Sequence, residues 1–152
     1  CTCHTLIGSP DFMPTLLGLL DLPIPKSVEG TDCSEDIKGN PVHNDKVCYL
    51  AACPGRDVFL KSFQEAGKNP QDFGWRGIRT PRYVYIAEAG YDTTPHMVRL
   101  LYDLKEDPLE MNPVKITDPS EHPAAKELEN MLISWLKEQN DGFLIHMKPN
   151  KN

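Results

Sequence analysis

The residues best able to do chemistry in this sequence are its cysteines and histidines, which can ligate a metal or serve as nucleophile and base. Five cysteines, Cys1, Cys3, Cys33, Cys48 and Cys53, are odd in number and irregularly spaced, so they spell no complete disulfide framework. At least one thiol is left over in a monomer. Neither Cys1-Thr2-Cys3-His4 nor the stretch Cys48 to Cys53 has the paired C-x-x-C spacing usual in zinc sites, and ordinary structural cysteines are expected. His4, His43, His96, His122 and His146 are scattered, with no H-x-x-x-H pair to aim two rings off one helical face. Asp32, Glu35 and Asp36 offer oxygens to calcium but lack the D-x-D-x-D-G order of a dedicated loop, which leaves a solvated acidic loop. Tyr102, Asp103, Asp107 and Glu110 read as turn-forming residues and not as an acid/base pair. No metal ligand and no catalytic residue is assigned.

The hydrophobic pattern sets out the elements that carry these residues. Residues Pro10 to Leu20 predict a helix, capped by Ser9 and stopped by Pro23 and Pro25. Phe12, Met13, Leu16, Leu17, Leu19 and Leu20 occupy more than one of its faces, the mark of a helix buried on most sides. A small domain alone covers such a helix poorly. Residues Lys26 to Asn44, rich in Gly, Pro, Asp and Asn, predict an irregular loop. A short strand follows at Val47 to Ala51, then an amphipathic helix at Asp57 to Ala66 with Val58, Leu60 and Phe63 inward. Gly74 to Glu88 carries the densest strand signal and divides into two strands at the turn Thr80-Pro81-Arg82. Met97 to Tyr102 is a further strand, antiparallel to its predecessor. Asp103 to Asp118, with Pro108 and Pro113, predicts a crossing with little regular structure. Ser120 is the expected cap of a final helix in which Leu128, Leu132, Trp135 and Leu136 share a face, and Asn140-Asp141-Gly142 ends it. The fold class is therefore α+β: a small antiparallel sheet of about four strands packed against a C-terminal helix, with an apolar helix at the N-terminus.

A chain of 152 residues is long enough for one real core. Sixteen basic and twenty-two acidic residues give a net charge of -6 with no basic run, so nucleic acid is not an expected partner. No apolar run reaches the roughly 18 to 20 residues of a membrane span, and no membrane partner is expected. The chain opens at Cys1 without an initiator Met or a signal-peptide pattern, and it reads as a fragment.

Four stretches, in order, resemble the sulfatase family. Asp11-Phe12-Met13-Pro14-Thr15-Leu16-Leu17 is similar to its D-l-m-P-T-l-L helix, and Pro25 to Asp32 to its P-x-x-V-x-G-x-D loop. Trp75-Arg76-Gly77-Ile78-Arg79-Thr80-Pro81-Arg82-Tyr83 is similar to W-R-G-x-R-T-x-x-Y, and Leu101 to Glu110 to L-Y-D-L-x-x-D-P-x-E. The resemblance covers nearly the whole chain. It implies the C-terminal subdomain of an alkaline-phosphatase-like enzyme, with residues 1–46 as linker helix and loop from a catalytic domain and 47–152 as sheet plus terminal helix.

The same resemblance implies a parent that hydrolyses sulfate esters, using a formylglycine made from C/S-x-P-x-R and a bound calcium. That motif is absent here: in Cys53-Pro54-Gly55-Arg56 both Pro and Arg come one residue early. The calcium carboxylates lie upstream of the D-l-m-P-T helix in the family, so Asp11 and Asp32 inherit no such role. The chain alone is expected to be inactive, with no cofactor of its own and with the parent's catalytic domain and a sulfated small molecule or glycan as its partners. The resemblance leaves localisation open, an exported parent being compatible with it. Trp75, Arg76 and Arg79 are the residues expected beside substrate, Trp75 stacking on a sugar and Arg76 bonding sulfate; the competing expectation is that the arginines pair inside the subdomain. Two other functions fit the sequence, a free-standing binding domain and the equivalent part of a phosphonate or phosphodiester hydrolase.

Overall fold

A computed structural model describes residues 3–55, 57–94 and 96–147, and of residues 57–59 the backbone alone. The chain divides into two compact units, Cys1–Cys48 and Tyr49–Asn152. In the second, the strand-forming run around Tyr83 to Ile86 becomes the centre of a sheet. Strands β1 (Cys48–Ala52), β2 (Gly74–Arg79), β3 (Tyr83–Gly90), β4 (Val98–Asp103) and β5 (Val114–Lys115) lie in sequence order across it. Successive pairs from β2 to β5 are antiparallel. The β2–β3 turn is closed by Thr80, whose Oγ1 accepts from the amides of Arg82 and Tyr83. Strand β5 is an addition to the expected four: two exposed residues pair with Leu100 and Leu101, too short a run for any periodicity to announce.

Because paired residues project to the same side, the register sorts the sheet into two faces. Arg76, Ile78, Tyr85, Ala87, Arg99 and Leu101 share one face. Helix α4 (Pro123–Glu138) lies on it, burying Ala125, Leu128, Leu132 and Leu136 along one stripe. Arg99 Nε donates to Glu129 across this layer at 2.9 Å, next to the wholly buried Tyr85, whose pKa burial pushes up. Trp135 leaves the stripe and stacks on Tyr49, ring centroids 4.6 Å apart. The cap of α4 is His122, whose Nδ1 accepts from the Ala125 amide, and not Ser120. Ser120 is instead held inside a 3-10 turn, Pro119–Glu121, where its own amide donates to Asp118. Helix α3 (Asp57–Glu65) brings Phe63 into the core, while the Val58 side chain lies outside the described residues.

After Asn140, in the left-handed region at φ 52°, the chain makes one further turn of helix, α5 (Leu144–Met147). His146 packs there against Phe73 and Phe143, at 4.9 and 5.5 Å between ring centroids. Its Nε2 is buried with no hydrogen-bond partner among the described residues. Burial holds its pKa below the ordinary value, Lys68 and Arg76 adding to the effect and Asp72 opposing it. The fold therefore favours the neutral ring, and the unfolded chain binds the proton more readily. This contribution is intact above the ordinary histidine pKa of about 6.5 and is lost as pH falls below it. Urea midpoints taken from about pH 7.5 down to about pH 5.5 are expected to fall more steeply for the native chain than for His146→Phe, which keeps the aromatic packing. Parallel slopes would exclude this role.

In the first unit a 3-10 turn, Ser9–Asp11, leads into α1 (Phe12–Leu19). Capping here is done backwards: the Asp11 carboxylate accepts the Gly8 amide at 2.7 Å, and Ser9 takes no part. Pro14 and Thr15 point inward, while Phe12, Met13, Leu16 and Leu20 are between 57% and 67% exposed. The region expected to be wholly irregular contains a short helix, α2 (Ser34–Lys38). Asp32 accepts the Ser34 amide to start it, and Gly39, at φ 98°, ends it. Among the described residues no helix is long and apolar enough to cross a membrane.

Candidate functional site

Each stretch that resembled the family turns out to contain a polar clasp between segments distant in sequence. Asp11 Oδ1 accepts the Thr31 amide at 2.8 Å, and its other oxygen takes Lys46 Nζ in addition to Gly8. These donors outweigh burial, the largest single influence, and hold the Asp11 pKa below the usual carboxylate value. Thr15 Oγ1 receives the Cys33 amide at 3.0 Å and donates to the Thr31 carbonyl at 3.3 Å. Asp11 thus spends its oxygens on two backbone amides and the Lys46 ammonium, and Asp32 Oδ1 accepts the Ser34 amide.

Arg76 is 2% exposed and sits on the helix-covered face of the sheet. Its Nε and Nη2 form a two-pronged pair with Asp141 at 2.7 and 3.1 Å. Nη1 donates to the carbonyls of Phe73 and Trp75, and Nη2 also to that of Gln71 at 2.7 Å. All five guanidinium N–H donors are engaged, which leaves none for a ligand. Arg76 therefore ties the strand to the turn that follows α4.

Trp75 and Arg79 project from the opposite face, and both are half-exposed. Three cross-strand rows make up this face: Trp75–Glu88–Val98, Gly77–Ile86–Leu100 and Arg79–Val84–Tyr102. A side chain at Gly77 would meet Trp75 Cζ3 at 3.5 Å, so the indole lies over that glycine. Arg79 pairs with Glu110, joining the third family-like stretch to the fourth. Arg82 likewise reaches Asp103, Nη2 to Oδ2 at 2.9 Å, and Asp107 accepts the amides of Met111 and Asn112. Four steps along the strand take the backbone from Trp75 to Arg79, roughly 13 Å at the usual rise. What the face offers is an aromatic ledge at one end and a guanidinium–carboxylate pair at the other.

The third grouping, Cys33, Asp36 and His43, is one the sequence does not announce. Their potential ligand atoms lie within 4.8 Å of one another in the first unit. A spacing of C-x-x-D-x6-H matches no common metal pattern, and it is the left-handed turn at Gly39 that brings His43 back to the helix. Cys53, on the surface, makes a long 3.6 Å contact with the Gln71 carbonyl, and Arg56 lies outside the described residues.

No protein-family model matches the chain. An ulvan-active sulfatase of Formosa agariphila is 29% identical over 142 residues, covering 93% of this chain and 24% of the relative. The chain is homologous to sulfatases. A crystal structure of yidJ from Bacteroides fragilis, assigned as a sulfatase, superposes with a TM-score of 0.67 at 26% identity, covering 95% of this chain and 28% of that one. A sulfatase from the glycosaminoglycan metabolism of Bacteroides thetaiotaomicron gives 0.61 at 25% identity, over 93% of this chain and 29% of that one. The chain thus spans between 24% and 29% of these sulfatases and has the α+β fold of their C-terminal part.

Proposed function

We propose that this chain is the C-terminal part of a sulfuric ester hydrolase of the alkaline-phosphatase-like kind, in which it completes the fold and borders the substrate pocket without supplying the chemistry. The observation that carries this reading is that the family-like residues with the strongest chemistry, Asp11 and Arg76, are spent on internal clasps. Formylglycine and calcium would come from the remainder of the enzyme, since the sequence holds no C/S-x-P-x-R and its motif carboxylates are taken. Trp75 and Arg79 are the residues we place beside a sulfated glycan or smaller ester, at separate points along it, with Arg76 as the support of the strand that bears them.

The exposed residues Phe12, Met13, Leu16 and Leu20 of α1 support the same reading, as a surface that the rest of the enzyme covers. Each side chain so covered would contribute about 1.5 to 3 kcal/mol. Two measurements test the proposal. The purified chain is expected to hydrolyse no chromogenic aryl sulfate above buffer; turnover that copurifies and is abolished by changing one of its own residues would overturn the reading. Hydrogen exchange at residues 15–20 is expected to be slower in an intact enzyme containing this sequence than in the monomeric chain, and equal protection in both would remove the proposed cover.

A further inference from the structure

Helix α2 and the loop after it bring a thiol, a carboxylate and an imidazole together without any family-like motif at that place. We propose that Cys33, Asp36 and His43 form a binding site for a divalent transition-metal ion of the zinc class, with solvent completing the coordination. Their ligand atoms are already within 4.8 Å of one another. A mixed sulfur, oxygen and nitrogen set suits zinc, whereas calcium and magnesium take oxygen ligands alone.

The placement of each donor is over-determined. Cys33 stands at the N-cap of α2 and Asp36 one turn on, so both face the same side of the helix start. Asp36 Oδ1 is held by three donors: Thr5 Oγ1 at 2.8 Å, the Val42 amide at 3.1 Å and the His43 amide at 2.9 Å. Its Oδ2 is left to the imidazole, 2.7 Å from His43 Nδ1. One oxygen fixed by surrounding donors and the other presented is how a ligating carboxylate is supported. An Asp36–His43 staple would account for those two residues alone. It gives no role to the Cys33 thiol, wholly buried beside them with a 3.7 Å contact to the Thr31 carbonyl.

Binding requires the donors to adjust in both directions, atoms as far as 4.8 Å apart closing by about 1 Å and the closest pair opening. Ligands on a tetrahedral ion with bonds of about 2.0 to 2.2 Å stand roughly 3.3 Å apart, so the Nδ1 to Oδ2 contact opens by a few tenths of an ångström. The Cys33 thiol gives its proton to solvent as the sulfur binds, and His43 coordinates through the Nδ1 lone pair with its ring proton on Nε2. Thiolate and carboxylate together offset the two positive charges, and the buried site ends neutral. The His43 side chain, 32% exposed, gives the ion a path from solvent. The nearby Lys46 ammonium is already paired with Asp11 and does not have to move.

Cobalt(II) titration of the reduced, tag-free chain tests the site, because thiolate bonded to cobalt absorbs in the near ultraviolet. One equivalent is expected to bind with that absorption, and zinc(II) is expected to displace it. Cys33→Ser is expected to abolish the absorption, while Cys3→Ser and Cys53→Ser retain it. Cys33 is buried and its variant can misfold, so His43→Gln, at a partly exposed position, is the second probe. It is expected to keep the native circular dichroism and to weaken binding about tenfold or more. Absorption that survives Cys33→Ser, a His43→Gln affinity equal to the native one, or no binding at all would each overturn the site.

Discussion

Replacing Arg76 by Ala is expected to destabilise the chain by about 3 to 5 kcal/mol, the range for breaking a buried ion pair by removing one partner. The loss is large because it is not confined to the pair. Asp141 would keep its charge, with a side chain only 17% exposed, and the carbonyls of Gln71, Phe73 and Trp75 would lose a donor they share. Packing is lost as well, since the guanidinium lies 4.9 Å from the centroid of the Phe143 ring. Arg76→Lys is expected to recover little: an ammonium has three donors in no plane, and the site uses five in a fixed fork. Asp141→Asn, which keeps shape and one acceptor, is expected to cost less than either. Urea denaturation of the three variants checks the order. A loss below about 1 kcal/mol for Arg76→Ala would mean that the network adds no more than an exposed pair does.

The sheet was legible in the sequence and the clasps were not, for a physical reason. Ile78, Tyr83, Val84, Tyr85 and Ile86 announce strands through local side-chain type, and Leu128, Leu132 and Leu136 announce a helix face through spacing. Both signals live within one element. The Arg76–Asp141 pair spans 65 positions and Asp11–Lys46 spans 35, and no periodicity links such partners. Family-like motifs marked one end of each clasp without saying what it held. Capping misled as well: Ser9 and Ser120 are good caps by type, yet the Asp11 carboxylate reaches back to the Gly8 amide and His122 caps α4. The grouping of Cys33, Asp36 and His43 is hidden further still, since it depends on the backbone of one glycine.

A glycine also decides the last expected result, Gly30→Ala. Gly30 has φ 94°, a conformation that disfavours any side chain by about 1 to 2 kcal/mol. A Cβ there would lie 2.4 Å from the Pro10 carbonyl oxygen and 2.9 Å from the Asp11 amide nitrogen, backbone atoms that cannot rotate away. The turn would have to move off the start of α1. Such a shift pulls the Thr31 amide from Asp11 and the Cys33 amide from Thr15, bonds of 2.8 and 3.0 Å that fasten the loop. Gly67→Ala separates strain from collision, because Gly67 is also left-handed, at φ 62°, with nothing within 4 Å of its would-be Cβ. Gly67→Ala is expected to show the backbone penalty alone, about 1 kcal/mol. Gly30→Ala is expected to exceed it at least twofold and to speed hydrogen exchange at the amides of Thr31 and Cys33. If the two variants lose the same stability and those amides stay protected, close approach is not what Gly30 serves. The left-handed turn would then be the whole reason for a glycine between Glu29 and Thr31.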